Sequence, residues 1–215
     1  MTNKLKIMNI SVYIIAYNEA EKISDCINSI LWADEIIVAD SYSTDGTSEI
    51  AEKLGAKVIH IPFEGYGTLR NQAISHCKGN WIFSLDSDER CTIEVRDEII
   101  KITDNALLDI YKVPRRNFFM GRWIKHSGWY PNFRQPQLFK NGAMSYNLDS
   151  VHEGYISYSN KEIGTLNNSI ANDVYEYRTN DRKREIKLLD PRYLDKVLTE
   201  FETIMRQGNN ATIFN

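Results

Sequence analysis

The sequence predicts an α/β fold, a mostly parallel sheet with helices on both faces. Three observations carry this. In the first half, short apolar runs alternate with segments of helical periodicity. Those runs are apolar on both sets of alternating positions, so each strand has two faces to bury, as in a parallel sheet covered on both sides. Polar and acidic residues gather directly after the runs, and ligands of such sheets bind at the carboxyl ends of the strands.

The first run is Ile10–Ala16. A helix over Glu19–Leu31 follows, with Ile23, Ile27, Ile30 and Leu31 on one face, Asn18 as its cap and Glu21 as the capping-box partner. Ile36–Ala39 is the second strand. The next helix spans about Asp45 to Leu54 and is ended by Gly55. Lys57–Ile61 is the third strand, Thr68–Cys77 the third helix and Trp81–Leu85 the fourth strand. Beyond this β-α-β-α-β-α-β unit the pattern changes. Ile110–Val113 reads as a strand and 114–136 as irregular. Gln137–Lys140 and Ala143–Tyr146 flank an Asn141-Gly142 turn and read as a hairpin. A charge run covers 178–187, and Asp190-Pro191 opens an amphipathic helix with Leu194, Val197, Leu198, Phe201, Ile204 and Met205 on one face.

Charge is unevenly spread over the 215 residues, although the total is only −3. Residues 1–109 hold 10 basic and 18 acidic side chains, while 110–148 hold 7 basic and no acidic ones. A stretch without carboxylates suits a local anionic partner. The strongly acidic rim beside it argues against nucleic acid. The three cysteines, Cys26, Cys77 and Cys91, form no Cys-x-x-Cys pair, which excludes a disulfide framework or a zinc site and fits a reducing compartment. Met1–Asn9 is polar, and no apolar stretch approaches the ~20 residues of a membrane span. The expectation is a cytoplasmic protein, with peripheral contact at the inner face of the cytoplasmic membrane still open to it.

The strand ends carry the chemistry. Asp86 and Asp88 leave strand four at i and i+2, so both carboxylates can aim at one point, where they repel unless a cation lies between them. Mn²⁺ or Mg²⁺ takes oxygen ligands and shares them with a diphosphate. His152 is a further candidate ligand; it could equally orient its loop. Asp40, directly after strand two, can accept from a uracil N3–H, with capping left to Asp45. Arg70, early on helix three, can reach a pyrophosphate or the base.

The pieces Ile14-Ile15-Ala16-Tyr17-Asn18-Glu19, Asp40-Ser41-Tyr42-Ser43-Thr44-Asp45-Gly46-Thr47 and Asp86-Ser87-Asp88, in this order and spacing, resemble the family 2 glycosyltransferases, which have the GT-A fold. Trp32-Ala33-Asp34-Glu35-Ile36-Ile37-Val38, the stretch from Arg115 to Trp123, His126-Ser127-Gly128-Trp129-Tyr130-Pro131 and Val151-His152-Glu153 narrow the resemblance to bacterial lipopolysaccharide-core β-glucosyltransferases, over about residues 9–167. That resemblance implies an inverting transfer from a UDP-sugar, with Asn18, Glu19, Asp40, Arg70, Asp86 and Asp88 around the donor and Asp88 on the metal. It implies a base at Glu153 or a nearby carboxylate.

The organisation expected is a single GT-A domain in two halves, with 1–109 for the nucleotide sugar and 110–177 for acceptor and catalysis, followed by 178–215. In the second half, Arg115, Arg116, Arg122 and Lys125 suit phosphates or acidic sugars, and Trp129 and Tyr130 suit sugar rings, so the expected partner is an anionic saccharide or glycolipid. The first carboxylates after the acid-free stretch are Asp149 and Glu153, with Glu153 preferred as the general base. A sugar nucleotidyltransferase would want a Gly-rich basic loop after strand one, which Tyr17-Asn18-Glu19-Ala20 does not supply. The remaining alternative is a degenerate sugar-nucleotide or glycan-binding module without transfer activity.

Overall fold

The computed structural model describes residues 9–119, 122–123, 125–126, 130–131, 136–148 and 154–175. The charge run at 178–187 and the helix expected from 190 lie outside the described residues. In chain order the elements are β1 (Ile10–Ala16), α1 (Ile23–Asn28), β2 (Glu35–Asp40), α2 (Thr47–Lys53), β3 (Lys57–His60), α3 (Tyr66–Ser75), β4 (Trp81–Asp86), β5 (Glu89–Arg90), α4 (Ile93–Asp104), β6 (Ile110–Lys112), β7 (Arg115–Phe119), β8 (Arg122–Trp123), β9 (Pro136–Lys140), β10 (Met144–Tyr146), β11 (Tyr155–Ser157), β12 (Gly164–Thr165) and β13 (Ile170–Tyr175). They fall into two compact units, residues 1–114 with 133–171, and 115–132 with 172–215. The boundary expected at 109/110 does not coincide with these units, because the first takes back 133–171 to complete its sheet.

The first unit is a seven-stranded sheet ordered β12-β6-β9-β4-β1-β2-β3. Its β4-β1-β2-β3 half is parallel, whereas β9 runs antiparallel to both β4 and β6. Central β1 is buried at every position. Val12, Ile14 and Ala16 face one cluster, with Ile23, Ile27, Ala51, Val95 and Ile99 from α1, α2 and α4. Tyr13 and Ile15 face the other, with Leu69 and Ala73 from α3 and Met144 and Tyr146 from β10. Each fully buried aliphatic side chain contributes about 1.5–3 kcal/mol. The strand's continuous apolar run thus fills two layers at once. Among the described residues, no helix is long and apolar enough to cross a membrane.

Several expectations need correction. The helix after β1 is only Ile23–Asn28, with turns on either side, and Leu31 is 55% exposed. Its N-cap is Lys22 without a side-chain bond, so Asn18 does not cap it. Helix α4 was not anticipated, although Thr92 accepts from Val95 N and Val95 and Ile99 repeat at i, i+4. The stretch 114–136 is not all irregular, since β7 and β8 pair antiparallel through Phe118 with Trp123 and Phe119 with Arg122. Asn141-Gly142 does turn the chain, with Gly142 at φ +81, but the flanking strands do not form a hairpin. β9 is claimed by β4 and β6, and β10 pairs with β11.

Asp109 ties three segments together before β6. Its carboxylate accepts from Lys140 at 2.8 Å, from Ser159 Oγ at 2.9 Å and from Lys161 at 3.1 Å. Lys140 first, then Ser159 and Lys161, hold it down to about 2. A carboxylate with a lowered folded-state pKa contributes stability above its unfolded value of about 3.9, and loses it as pH falls through the folded value. We therefore expect Asp109→Asn to be less stable than the parent at pH 7 in urea unfolding. The gap should close between about pH 4 and pH 2; a pH-independent gap would remove the ionic cause.

Candidate active site

Sheet register brings the predicted strand ends together. Ala16 is level with Asp40, Ile15 with Asp86, and Asp40 with His60. The β1, β2 and β4 ends therefore form one rim.

On the β2 side, Asp40 organises its own loop. It is wholly buried. One oxygen accepts from the Ser43 hydroxyl; the other accepts from Ser43 N at 2.9 Å and Ser48 Oγ at 3.1 Å, and faces His60 Nδ1 at 3.4 Å. These loop contacts take up the carboxylate, no face of which reaches solvent. Tyr42, at φ +61 and 58% exposed, stacks on His60 at 5.6 Å.

The same loop takes up the backbone of the β1 end. Asn18 N donates to Ser43 Oγ at 2.8 Å, Glu19 N to Thr47 Oγ1 at 2.8 Å and Ala20 N to Asp45 Oδ2 at 3.0 Å. In return, Asn18 Oδ1 accepts from Thr44 N at 2.9 Å. Asp45 also accepts from Thr47 N at 3.1 Å, so it closes a turn ahead of α2, whose own N-cap, Gly46, makes no side-chain bond. Three consecutive amides that could have cradled a phosphate are thus spent within the protein.

The β4 end is a braced carboxylate turn. Arg70, buried on α3, donates Nη2 to Asp86 Oδ1 at 2.9 Å and Nη1 to Ser84 Oγ at 3.3 Å. Glu89 is wholly buried, and its carboxylate accepts from Asp86 N at 2.9 Å and Gln137 Nε2 at 3.0 Å. Arg90 donates to the carbonyls of Ser87 and Lys22, at 3.0 and 3.2 Å. Asp86 and Asp88 both keep partial exposure on this turn. Arg70 pairs with Asp86, and carboxylate oxygens such as those of Asp86 and Asp88 are the ligand type that a hard divalent cation takes. Among the described residues, no three His, Cys, Asp or Glu side chains surround one point. Two carboxylate oxygens completed by diphosphate oxygens and water suit Mn²⁺ or Mg²⁺, so the residues present fit such an ion.

Helix α3 also braces what lies beyond β10. Asn71 Nδ2 donates to Tyr146 O and Asn71 Oδ1 accepts from Tyr146 N, both at 2.8 Å. A Cβ on Gly67 would lie 1.9 Å from the Asn147 carbonyl oxygen. Asn147 and Gly154 close a neck, with Gly154 N donating to Asn147 Oδ1 at 2.7 Å and Asn147 N to Gly154 O at 3.1 Å. Asp149, His152 and Glu153 belong to the segment between them and lie outside the described residues, as does Trp129. Arg115, Arg116, Lys125 and Tyr130 are placed within the second unit, as is the backbone of Arg122. Glu89 and Arg90 stand next to the Asp-Ser-Asp motif and were open to recognition there. Asn71, Ser84 and Gln137 carry no sequence signal of a site.

The cysteines are not nucleophiles. Burial pushes Cys77 and Cys91 up to about 12 and raises Cys26 well above the usual thiol value. Removing the Asn71 side chain should leave both Tyr146 backbone groups unpaired. Asn71→Ala is expected to lower stability by about 1–3 kcal/mol in denaturant unfolding, and a loss below 0.5 kcal/mol would show that water replaces the amide. Gly67→Ala should cost a similar ~1–3 kcal/mol by overpacking.

A family profile described as glycosyl transferase family 2 matches residues 11–161. An uncharacterized glycosyltransferase of Rickettsia conorii is 31% identical over 208 residues, covering 96% of this chain and 69% of its own. Another, of Rickettsia prowazekii, is 44% identical over 201 residues, covering 93% and 64%. The lipopolysaccharide core biosynthesis glycosyltransferase LpsC of Rhizobium meliloti is 29% identical over 164 residues, covering 70% and 58%. The chain spans about two thirds or less of the length of these relatives. Among solved structures, S. aureus TarS 1–349 superposes with a TM-score of 0.59 at 20% identity, covering 77% of this chain and 60% of that one, a likeness of fold. The same protein in complex with UDP-GlcNAc gives a TM-score of 0.54 at 22% identity, covering 74% of this chain and 59% of that one.

Proposed function

The chain belongs to glycosyl transferase family 2 and has the GT-A fold, and from that premise we propose that it moves a hexose from a UDP-sugar to a saccharide acceptor with inversion. The observation that carries this reading is the braced carboxylate turn of Asp86 and Asp88, on a rim whose backbone amides are already spent. Such a rim would meet a diphosphate through a divalent ion that Asp88 would hold, with Arg70 bracing Asp86 beside it. The binding of UDP-GlcNAc by S. aureus TarS, which shares the fold, supports a UDP-sugar as donor.

Asp40 acts on the donor through its loop, fixing Ser43 and, through Ser43, the Asn18 amide. Arg70 holds Asp86 in place and adds positive potential under the leaving group. Mn²⁺ or Mg²⁺ bound at Asp88 would supply neutralisation of the charge on the departing UDP. Glu153 takes the proton of the acceptor hydroxyl; the oxygen forms its bond to the anomeric carbon as the bond to the diphosphate oxygen breaks. His152 orients that segment, and Asp149 is the alternative base. Likeness to LpsC supports a lipopolysaccharide-core acceptor; we extend this to the inner core as acceptor, glucose as the sugar and action at the inner face of the cytoplasmic membrane.

Calorimetry with UDP should show binding with Mn²⁺ or Mg²⁺ and much weaker binding in EDTA, and Asp88→Ala should abolish the difference. Equal affinity in both buffers would sink the metal assignment. Glu153→Gln should keep UDP-sugar binding and slow transfer by about 10²–10⁴-fold, the range of general base catalysis. A milder effect than that of Asp149→Asn would move the base to Asp149.

A further inference from the structure

The second unit contains two cations gathered on one indole ring. Arg116 on β7 places its guanidinium carbon 5.3 Å from the Trp123 ring centroid, and Lys125 places its ammonium 4.4 Å from the same centroid. Tyr130 meets Trp123 edge-on at 5.1 Å and 89°. The two charges therefore lie within about 10 Å of each other, a separation comparable to the screening length of about 8–10 Å in physiological salt. No carboxylate among the described residues pairs with either, and residues 110–148 contain none. Arg116 Nε and Trp123 Nε1 are shut from solvent and donate to no acceptor among the described residues.

A ring face attracts cations but does not cancel their charge. Two cations on one indole, with no carboxylate paired to either among the described residues, therefore present an anion's complement. A hydrated chloride would satisfy the charge but not the directional donors. A phosphate group offers several oxygens, which accept from the guanidinium and the ammonium together. Tyr130, half-buried beside Trp123, adds the aromatic surface on which the C–H face of a sugar ring packs.

We propose that Arg116, Trp123, Lys125 and Tyr130 form a subsite for a phosphate group carried on the saccharide acceptor. The proposal rests on the glycosyltransferase reading above and adds to it the chemical class of the acceptor. The second unit thus selects phosphorylated sugars over neutral ones. The selection weakens as salt rises, because exposed charges are screened.

The test uses a hexose 6-phosphate and its unphosphorylated parent as probes, with binding to the full chain followed by calorimetry at low and physiological salt. The hexose phosphate should bind about tenfold or more tightly than the neutral sugar, the scale of one charge-assisted bond. The Arg116→Gln/Lys125→Gln double variant should lose that preference while its UDP affinity, measured on the same sample, stays at the parent value. Lys125→Gln alone, at an exposed position, should lose part of it and covers the case in which the double variant does not fold. Equal binding of the two sugars to the parent protein, or a preference kept in Lys125→Gln and the double variant, overturns the subsite. Vesicles separate the sources of phosphate. Sedimentation with phosphatidylglycerol but not phosphatidylcholine vesicles, without binding of the hexose phosphate, overturns the saccharide assignment in favour of a lipid surface. Loss of UDP binding in the parent protein, with the hexose-phosphate preference intact, would count against the donor reading and leave this subsite standing.

Discussion

A strand buried on both faces and paired on both edges has only its ends for polar groups, and β1 is such a strand. Its seven residues are all buried, with β2 on one side and β4 on the other. A polar side chain inside that trio must find its hydrogen bonds within the protein or cost several kcal/mol. Ser11, at one end, finds them with Glu35 and Gly79. Tyr13 finds one with Tyr146, and burial raises the pKa of both phenols, so they stay protonated. At the opposite rim, beyond the buried strands, stand Asp40, Asp86 and Asp88.

At that rim, one ion pair links the donor side to the rest of the unit. Arg70 holds Asp86 from below at 2.9 Å, while its guanidinium carbon lies 5.4 Å from the Tyr146 ring centroid. The next residue, Asn71, pairs with the Tyr146 backbone. A single turn of α3 therefore sets the carboxylate turn and the neck from which 148–153 departs. Removing one partner of a fully buried pair costs about 3–5 kcal/mol. Asp86 is 30% exposed, so water screens part of that here. The larger consequence is geometric: Arg70 fixes the Asp86 carboxylate, and with it the start of the turn that carries Asp88.

The two acidic loops also divide their labour. Asp40 spends its charge inward on Ser43, Ser48 and the exposed His60, and Asp45 spends its own on Thr47 and Ala20. Their joint effect is to saturate the amides of 18–20. This is the opposite strategy to a phosphate-binding glycine loop, in which free amides meet the anion. Under the proposed function, a cation at the Asp86–Asp88 turn takes the part that such amides play elsewhere.

The sequence by itself determined the strand-helix alternation, the two-sided burial of β1, β2 and β4, and the rim on which Asp40, Asp86 and Asp88 stand. Those features are local: an apolar run of seven residues and the polar residues after it are read from neighbours in the chain. Only the tertiary structure decided the rest. β9 left the Asn141-Gly142 turn to pair with β4, because a central sheet edge offers more backbone partners than a short hairpin does. Asp40 turned inward because Ser48 and His60, distant in the chain, converge on it. Gln137 and Asn71 took their places through contacts spanning 48 and 75 positions. Hydrogen bonds at such separations leave no periodicity in a sequence, since they depend on which strands come to lie side by side.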